Sequence, residues 1–239
     1  MRLQHHLLER SYRPFLRLRL AVGTRLDNSS MRIAVCLRLG APLCTPHVCI
    51  CGAAVDSSGV HGLSCRKSAG RGARHSTINS IVKAALNSAE IPSRLEPRGL
   101  ARDDGKRPDG VTSMPWKNGR CLIWDVTCPD TLAASYLDKA VSGPGVVATE
   151  AETRKRHKYS TVDDSTYIFQ PIAIETLGAF GSSAIDFFND LGRRMRAVSQ
   201  DTRAGTFLMQ RLSVAMQRGN AACILGTIAD DDVSTEFFV

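Results

Sequence analysis

"RPDGVTSMPWKNGRCLIWDVT", residues 107–127, holds two aspartates, Asp109 and Asp125, each among apolar and strand-forming neighbours. A buried carboxylate is costly unless it is paired. The stretch reads as two strands joined at "KNG", and pairing those strands brings both carboxylates within reach of one divalent cation, which supplies the missing countercharge. Hard oxygen donors select magnesium or manganese. Glu96, in "RLEP", offers a third carboxylate. A cation held there can activate water and neutralise charge developing on a phosphodiester, and a nearby lysine can stabilise the same charge. Lys155 of "EAETRKRHKY" is the first candidate for that lysine and Lys158 the second. Two strand-end aspartates that pair with arginine or cap turns are the alternative.

A second constellation is "CICGAAVDSSGVHGLSC", where Cys49, Cys51, His61 and Cys65 fall in a Gly-rich stretch with few core-forming residues. Three thiols and an imidazole suit tetrahedral zinc, and metal binding can supply the folding free energy such a segment lacks. Cys49 and Cys51 are separated by a single residue, tighter than usual, so Cys44 or His47 can replace one of them; ordinary buried thiols are the plainer possibility. Immediately after, "RKSAGRGARH" places Arg66, Lys67, Arg71, Arg74 and His75 at the entrance to a helix, where basic side chains and free N–H groups can hold phosphate. Arg107, beside the first aspartate, joins this basic set. A solvated basic loop is the alternative.

The elements that must position these groups follow from periodicity. Residues 1–40 suggest two helices broken near "DNSS", and residues 41–72 a metal-dependent module. A helix is predicted from a cap at Ser76, followed by strands at "SRLEP", "RPDGVTSM" and "CLIWDVT". A helix from Val146 to about Ser160, a strand at "YIFQPIAIET", and helices at about 182–198 and 202–218 complete a domain over residues 73–228. An acidic tail, residues 229–239, is expected to fray. The fold class is α/β (α+β), with a small mixed sheet flanked by helices and preceded by the metal module. In the last helix Gln210, Arg211, Gln217 and Arg218 recur at seven-residue spacing; a DNA-backbone contact is one reading and an exposed face the favoured one. Trp116 and Trp124 are candidates for stacking on a base, with core packing favoured for Trp124.

Taken in order, "CICG…H…C", "GRGARH…N", "LEP", "KRPDG", "WDVT" and "RKRHKY" resemble the restriction-like endonuclease domain that follows the reverse transcriptase in some non-LTR retrotransposons, especially site-specific ones. That domain carries a CCHC zinc knuckle and belongs to the broad PD-(D/E)xK fold. The resemblance spans about Pro46 to Tyr159. It implies that Asp109 and Asp125 bind the catalytic magnesium or manganese, and that Lys155 matches the lysine relocated onto the helix. In the broader fold the lysine stands two residues after the second acid, where this chain has Thr127. The resemblance further implies nicking of DNA, a nuclear location, and element RNA and a reverse transcriptase domain or chain as partners, since no polymerase fits within the 239 residues.

Charge and composition bound the alternatives. The net charge is +8, with 14 Lys/Arg against 4 Asp/Glu in residues 1–95 and 17 against 19 in the remainder. A basic section beside a near-neutral one favours a polyanionic partner, with nucleic acid ahead of an acidic membrane surface. Without a run of roughly 20 apolar residues, a soluble protein with no membrane partner is expected. Eight cysteines are too sparse for a disulfide scaffold and read as reduced thiols. The Arg-rich, acid-poor start has the composition of a transit peptide, but is read as a basic lead-in helix or as part of a longer protein.

Overall fold

The computed structural model describes residues 23–100, 107–228 and 237–238. The expected first helix, around Leu16 to Leu20, and most of the acidic tail lie outside them. Helix α1 (Asn28–Leu39) is capped by Asp27, whose side chain accepts from Ser30 N at 2.8 Å, and closes on Gly40 in the left-handed conformation. Strands β1 (His47–Val48) and β2 (Ala54–Val55) form a short hairpin, followed by α2 (His61–Ser64) and α3 (Gly70–Ser88). Next come β3 (Ser93–Leu95), β4 (Gly110–Lys117), β5 (Arg120–Thr127), α4 (Leu137–Ala140), α5 (Val146–Lys158) and β6 (Tyr167–Ala173). Helices α6 (Ser182–Ser199) and α7 (Ala204–Leu225) follow.

The larger sheet has the order β3-β4-β5-β6, antiparallel except for β6, which runs parallel to β5. That parallel pairing requires a crossover, and α5 lies within it. Along β5 the side chains alternate between faces. Leu122, Trp124 and Val126 enter the main core, built with α3, α6 and α7, which leaves Ile123 and Asp125 on the other face. Ala148 and Ala151 of α5 pack with Ala173 of β6. This two-residue period is what delivers Asp125 to the side of the sheet where α5 runs.

Two predicted boundaries move. Helix α3 begins at Gly70, so Ser76 is an interior residue and not its cap. Its first turn is pressed against α7, where a Cβ at position 70 would lie 2.3 Å from Cys223 N, and only glycine permits that approach. Helix α7 extends beyond residue 218 to Leu225 because Ala221 and Ile224 enter a second core with Ile33, Leu37, Leu43, Val55 and Leu63. The Cys/His module thus shares its core with α1 and the end of α7. Both tryptophans are core residues: Trp124 is fully buried, and Trp116 packs against Phe187 and beneath Arg194.

Two buried glutamates act as helix caps supplied from elsewhere in the chain. Helix α6 starts at Gly181, which has no side chain to cap it, and Glu152 accepts from both Ser183 N and Ala184 N at 2.9 Å. Glu175 accepts from Ala148 N at the start of α5, at 3.1 Å. Burial pushes both carboxyls above their ordinary range despite these bonds. For Glu152 the folded state therefore holds the proton more tightly than the unfolded chain, so its contribution is complete below the ordinary value of 4.5 and falls as pH rises through the raised value. A Cβ at position 181 would sit 2.4 Å from the Glu152 carboxylate. Glu152→Ala is expected to cost about 1–2 kcal/mol and Gly181→Ala a similar amount, because it dislodges the same cap. Urea denaturation of both single variants and the double variant should show clear non-additivity; simple addition would separate the two effects.

Candidate functional site

The metal-ligand atoms of Cys49, Cys51, His61 and Cys65 all lie within 4.8 Å of one another. Cys49 Sγ is 3.6 Å from Cys65 Sγ, and Cys51 Sγ is 3.3 Å from His61 Nε2. With Zn–S bonds of about 2.3 Å, a tetrahedral site needs S–S edges of about 3.8 Å and slightly shorter S–N edges. The cluster can therefore hold a metal ion, and three soft thiols with one imidazole suit zinc.

The tight Cys-Ile-Cys spacing is explained by the hairpin. Cys49 N donates to Ala53 O at 2.8 Å and Gly52 N to Cys49 O at 2.7 Å, with Gly52 at φ 91°, so both thiols stand at one turn. Burial pushes the Cys49 thiol up to about 11, so as a thiolate ligand it needs a cation beside it. The Ala53 amide holds the Cys51 thiol below its ordinary range. The substitutes left open by the sequence are engaged elsewhere. Cys44 donates to Asp56 O at 3.5 Å, while the ring nitrogens of His47 meet Thr45 O and Thr227 Oγ1, each at 2.9 Å.

The second site gathers around Asp125, which is 4 % exposed. One carboxylate oxygen pairs with Lys155 Nζ, and the other accepts from Tyr159 OH at 2.6 Å. Lys155 and Tyr159 are four residues apart on the last turn of α5 and its cap, hence on one face. Tyr159 OH also reaches Arg107 O at 3.1 Å, tying α5 to the residue two before Asp109. Asp109 lies just ahead of β4; its amide donates to Trp124 O at 2.9 Å, and its Oδ2 accepts from Val126 N at 2.7 Å. The carboxylate is thus anchored to the residue next to Asp125.

His75 Nε2 stands 2.9 Å from Asp109 Oδ2. The hydrogen bond to Asp109 raises the His75 imidazole above its ordinary value, opposed in part by burial and helped by the charges of Asp109 and Asp125. Burial pushes Asp109 the other way, but the His75 bond and charge, with the Val126 amide, outweigh it and hold the carboxyl below its usual range. Asn79, buried one turn along α3, lies against the His75 ring and accepts from Trp124 Nε1 at 2.9 Å.

The other expected residues separate into three groups. Arg66 and Lys67 are exposed between α2 and α3, and exposed Arg71 donates to Ser64 O at 3.2 Å. His75 is half-exposed but belongs to the carboxylate site, and in the first turn of α3 Gly70 packs on α7 while Arg71, Gly72 and Ala73 are exposed. Arg74 is not an accessible phosphate contact: it is 3 % exposed, and its Nη1 donates to Asn220 Oδ1 at 2.7 Å. Glu96 is not gathered with the aspartates either. Its amide meets Asp109 O at 2.8 Å, but its exposed carboxylate pairs with Arg107. Lys158 lies 5.3 Å over the Tyr159 ring, so Lys155 is the lysine that engages Asp125.

Tyr159 and Asn79 were not singled out as site residues from the sequence. The usable signal for Tyr159 was its helical spacing from Lys155; for Asn79 it was the same spacing from His75. No helix among the described residues is long and apolar enough to cross a membrane. No protein-family model matches the chain, and comparison with curated proteins gives no match.

Proposed function

We propose that this chain is a restriction-like endonuclease domain of retrotransposon origin that nicks DNA with magnesium or manganese. The observation that carries this is the direct pairing of Lys155 of α5 with Asp125 of β5, with Asp109, just ahead of β4, held by the amide of Val126 next to Asp125. The order acid, acid and lysine supports this reading.

The donor set fits a hard cation, since Asp109 and Asp125 offer carboxylate oxygens and no thiol lies among them. Bound there, magnesium would supply Lewis-acid activation of water and charge neutralisation at phosphorus. The chain's own groups orient and balance the site. Tyr159 fixes one oxygen of Asp125, and the Val126 amide and His75 fix Asp109. Lys155, reaching solvent with 22 % of its side chain exposed, can turn its ammonium from Asp125 to a phosphodiester oxygen when substrate arrives. Arg66, Lys67 and Arg71 supply exposed positive charge for the DNA backbone, beside the zinc module.

One observation favours a second reading. Both aspartates already have internal cations, Lys155 for Asp125 and His75 for Asp109, so the site can stand as a self-neutralised nucleic-acid-binding relic. Relaxation of supercoiled plasmid by the full chain, with magnesium or manganese, separates the two: the nuclease produces nicked circles, and the relic only retards the DNA.

A further inference from the structure

A cleft of about 540 Å³ runs between α3 and α7, outside the carboxylate site. Its walls carry the guanidinium groups of Arg211 and Arg218, the hydroxyls of Thr77 and Ser80, and the apolar side chains of Ile81 and Ala215. None of its lining residues among the described ones is acidic. Arg218 donates to the Arg25 carbonyl, and Arg211 lies 6.0 Å over the Phe207 ring, so neither is neutralised by a salt bridge among the described residues. The acid that feels Arg218 is Asp27, whose two oxygens are taken by Ser30.

Arg74 runs beneath the floor. A Cβ at Gly219 would lie 2.4 Å from Arg74 Cγ, so the glycine admits this side chain, and Arg74 Nε is buried without a hydrogen-bond partner. An incompletely paired guanidinium in a low-dielectric setting adds to the positive potential above it. At 100° per residue, Thr77 and Ser80 face away from His75 and Asn79, so the cleft and the carboxylate site lie about a helix diameter, ~10 Å, apart.

We propose that this cleft binds a single strand of nucleic acid through its phosphodiester backbone, as a contact separate from Asp109 and Asp125. Its volume far exceeds one phosphate group. Arg211, Arg218 and the Thr77 hydroxyl can hold consecutive phosphates, while Ser80 Oγ donates to Ser76 O at 2.9 Å and the buried Ile81 and Ala215 close the floor. The pattern for which the sequence favours an exposed face over a backbone contact is thus divided: Gln217 turns into the core, and Arg211 and Arg218 line the cleft. No metal at the aspartates is needed for this contact.

Fluorescence anisotropy of labelled oligothymidylate, titrated with zinc-loaded full chain at several salt concentrations without magnesium, tests it. Arg211→Gln/Arg218→Gln should bind about 10-fold more weakly, and the slope of log K against log salt should become shallower by about 1.4, two phosphates at about 0.7 each. Thr77→Glu/Ser80→Glu, both at exposed positions, should weaken binding as much. Wild-type affinity and slope in both cleft variants, with melting unchanged, overturn the proposal, as does a wild-type chain that fails to bind the strand. Binding that persists in a chain unable to nick would count against the nuclease alone.

Discussion

Cys65→Ser abolishes stoichiometric zinc binding and melts the segment from Leu43 to Cys65. The expected effect is large because the four ligands tie the hairpin to α2, and the regular structure of the segment is short. Its hairpin strands are two residues each, and two of its buried residues are the ligands Cys49 and Cys65. Zinc contributes ~10 kcal/mol or more to small modules of this kind. Losing it also uncovers Ile33 and Leu37 of α1 and Ala221 and Ile224 at the end of α7. Elemental analysis should find one zinc per wild-type chain and none in the variant. Amide exchange should accelerate in the hairpin, α2 and the last turns of α7, while β4 and β5 stay protected. A variant that loses zinc yet keeps the hairpin protected would make the cluster ordinary core packing. Because thiolates are the ligands and Cys49 is held protonated to about 11, zinc affinity should also fall steeply as pH is lowered.

Lys155→Ala should reduce nicking by about 10²–10³-fold, the scale of removing one preorganised electrostatic donor, while changing DNA retention little. It also leaves the buried Asp125 carboxylate without its cation, held by the Tyr159 hydroxyl. Breaking a buried ion pair costs about 3–5 kcal/mol; since Lys155 is partly solvated, about 1–3 kcal/mol is expected here. The loss should shrink in magnesium, because a cation at Asp109 and Asp125 replaces the missing charge. Differential scanning fluorimetry should therefore show magnesium raising the melting temperature of Lys155→Ala more than that of the wild type. Equal shifts would place magnesium elsewhere. Lys155→Arg should recover part of the stability, and less of the activity, because a guanidinium fork cannot occupy the place of a compact ammonium.

The central hairpin and the site's three leading residues were legible because they rest on local pattern. Alternation in "CLIWDVT" separates Asp125 from Leu122, Trp124 and Val126, and the charged helix after "SGPG" carries Lys155. What escaped depends on contacts distant in sequence. Arg74 looks like a surface residue until Gly219 and Asn220 of α7 receive it. Helix α3 starts before its apparent cap because α7, not a side chain, stabilises its first turn. Glu96 sits beside Asp109 in the sheet, yet Arg107 holds its carboxylate outside. The choice among six cysteine and histidine candidates likewise required Thr227 and Asp56, which occupy His47 and Cys44. His75 was identified as basic, but its role as the partner of Asp109 appears only when α3 packs against the sheet.

The central claim is that Asp125 and Asp109 support metal-dependent cleavage of DNA. Asp125→Asn keeps the size of the side chain and an oxygen for Tyr159 while removing the charge that a cation and Lys155 require. Zinc-loaded wild-type chain and this variant should be incubated with supercoiled plasmid in magnesium, then in manganese, at matched DNA occupancy. The account predicts nicked circles from the wild type and none above background from Asp125→Asn; equal nicking by the two, or none by the wild type in either metal, would contradict it.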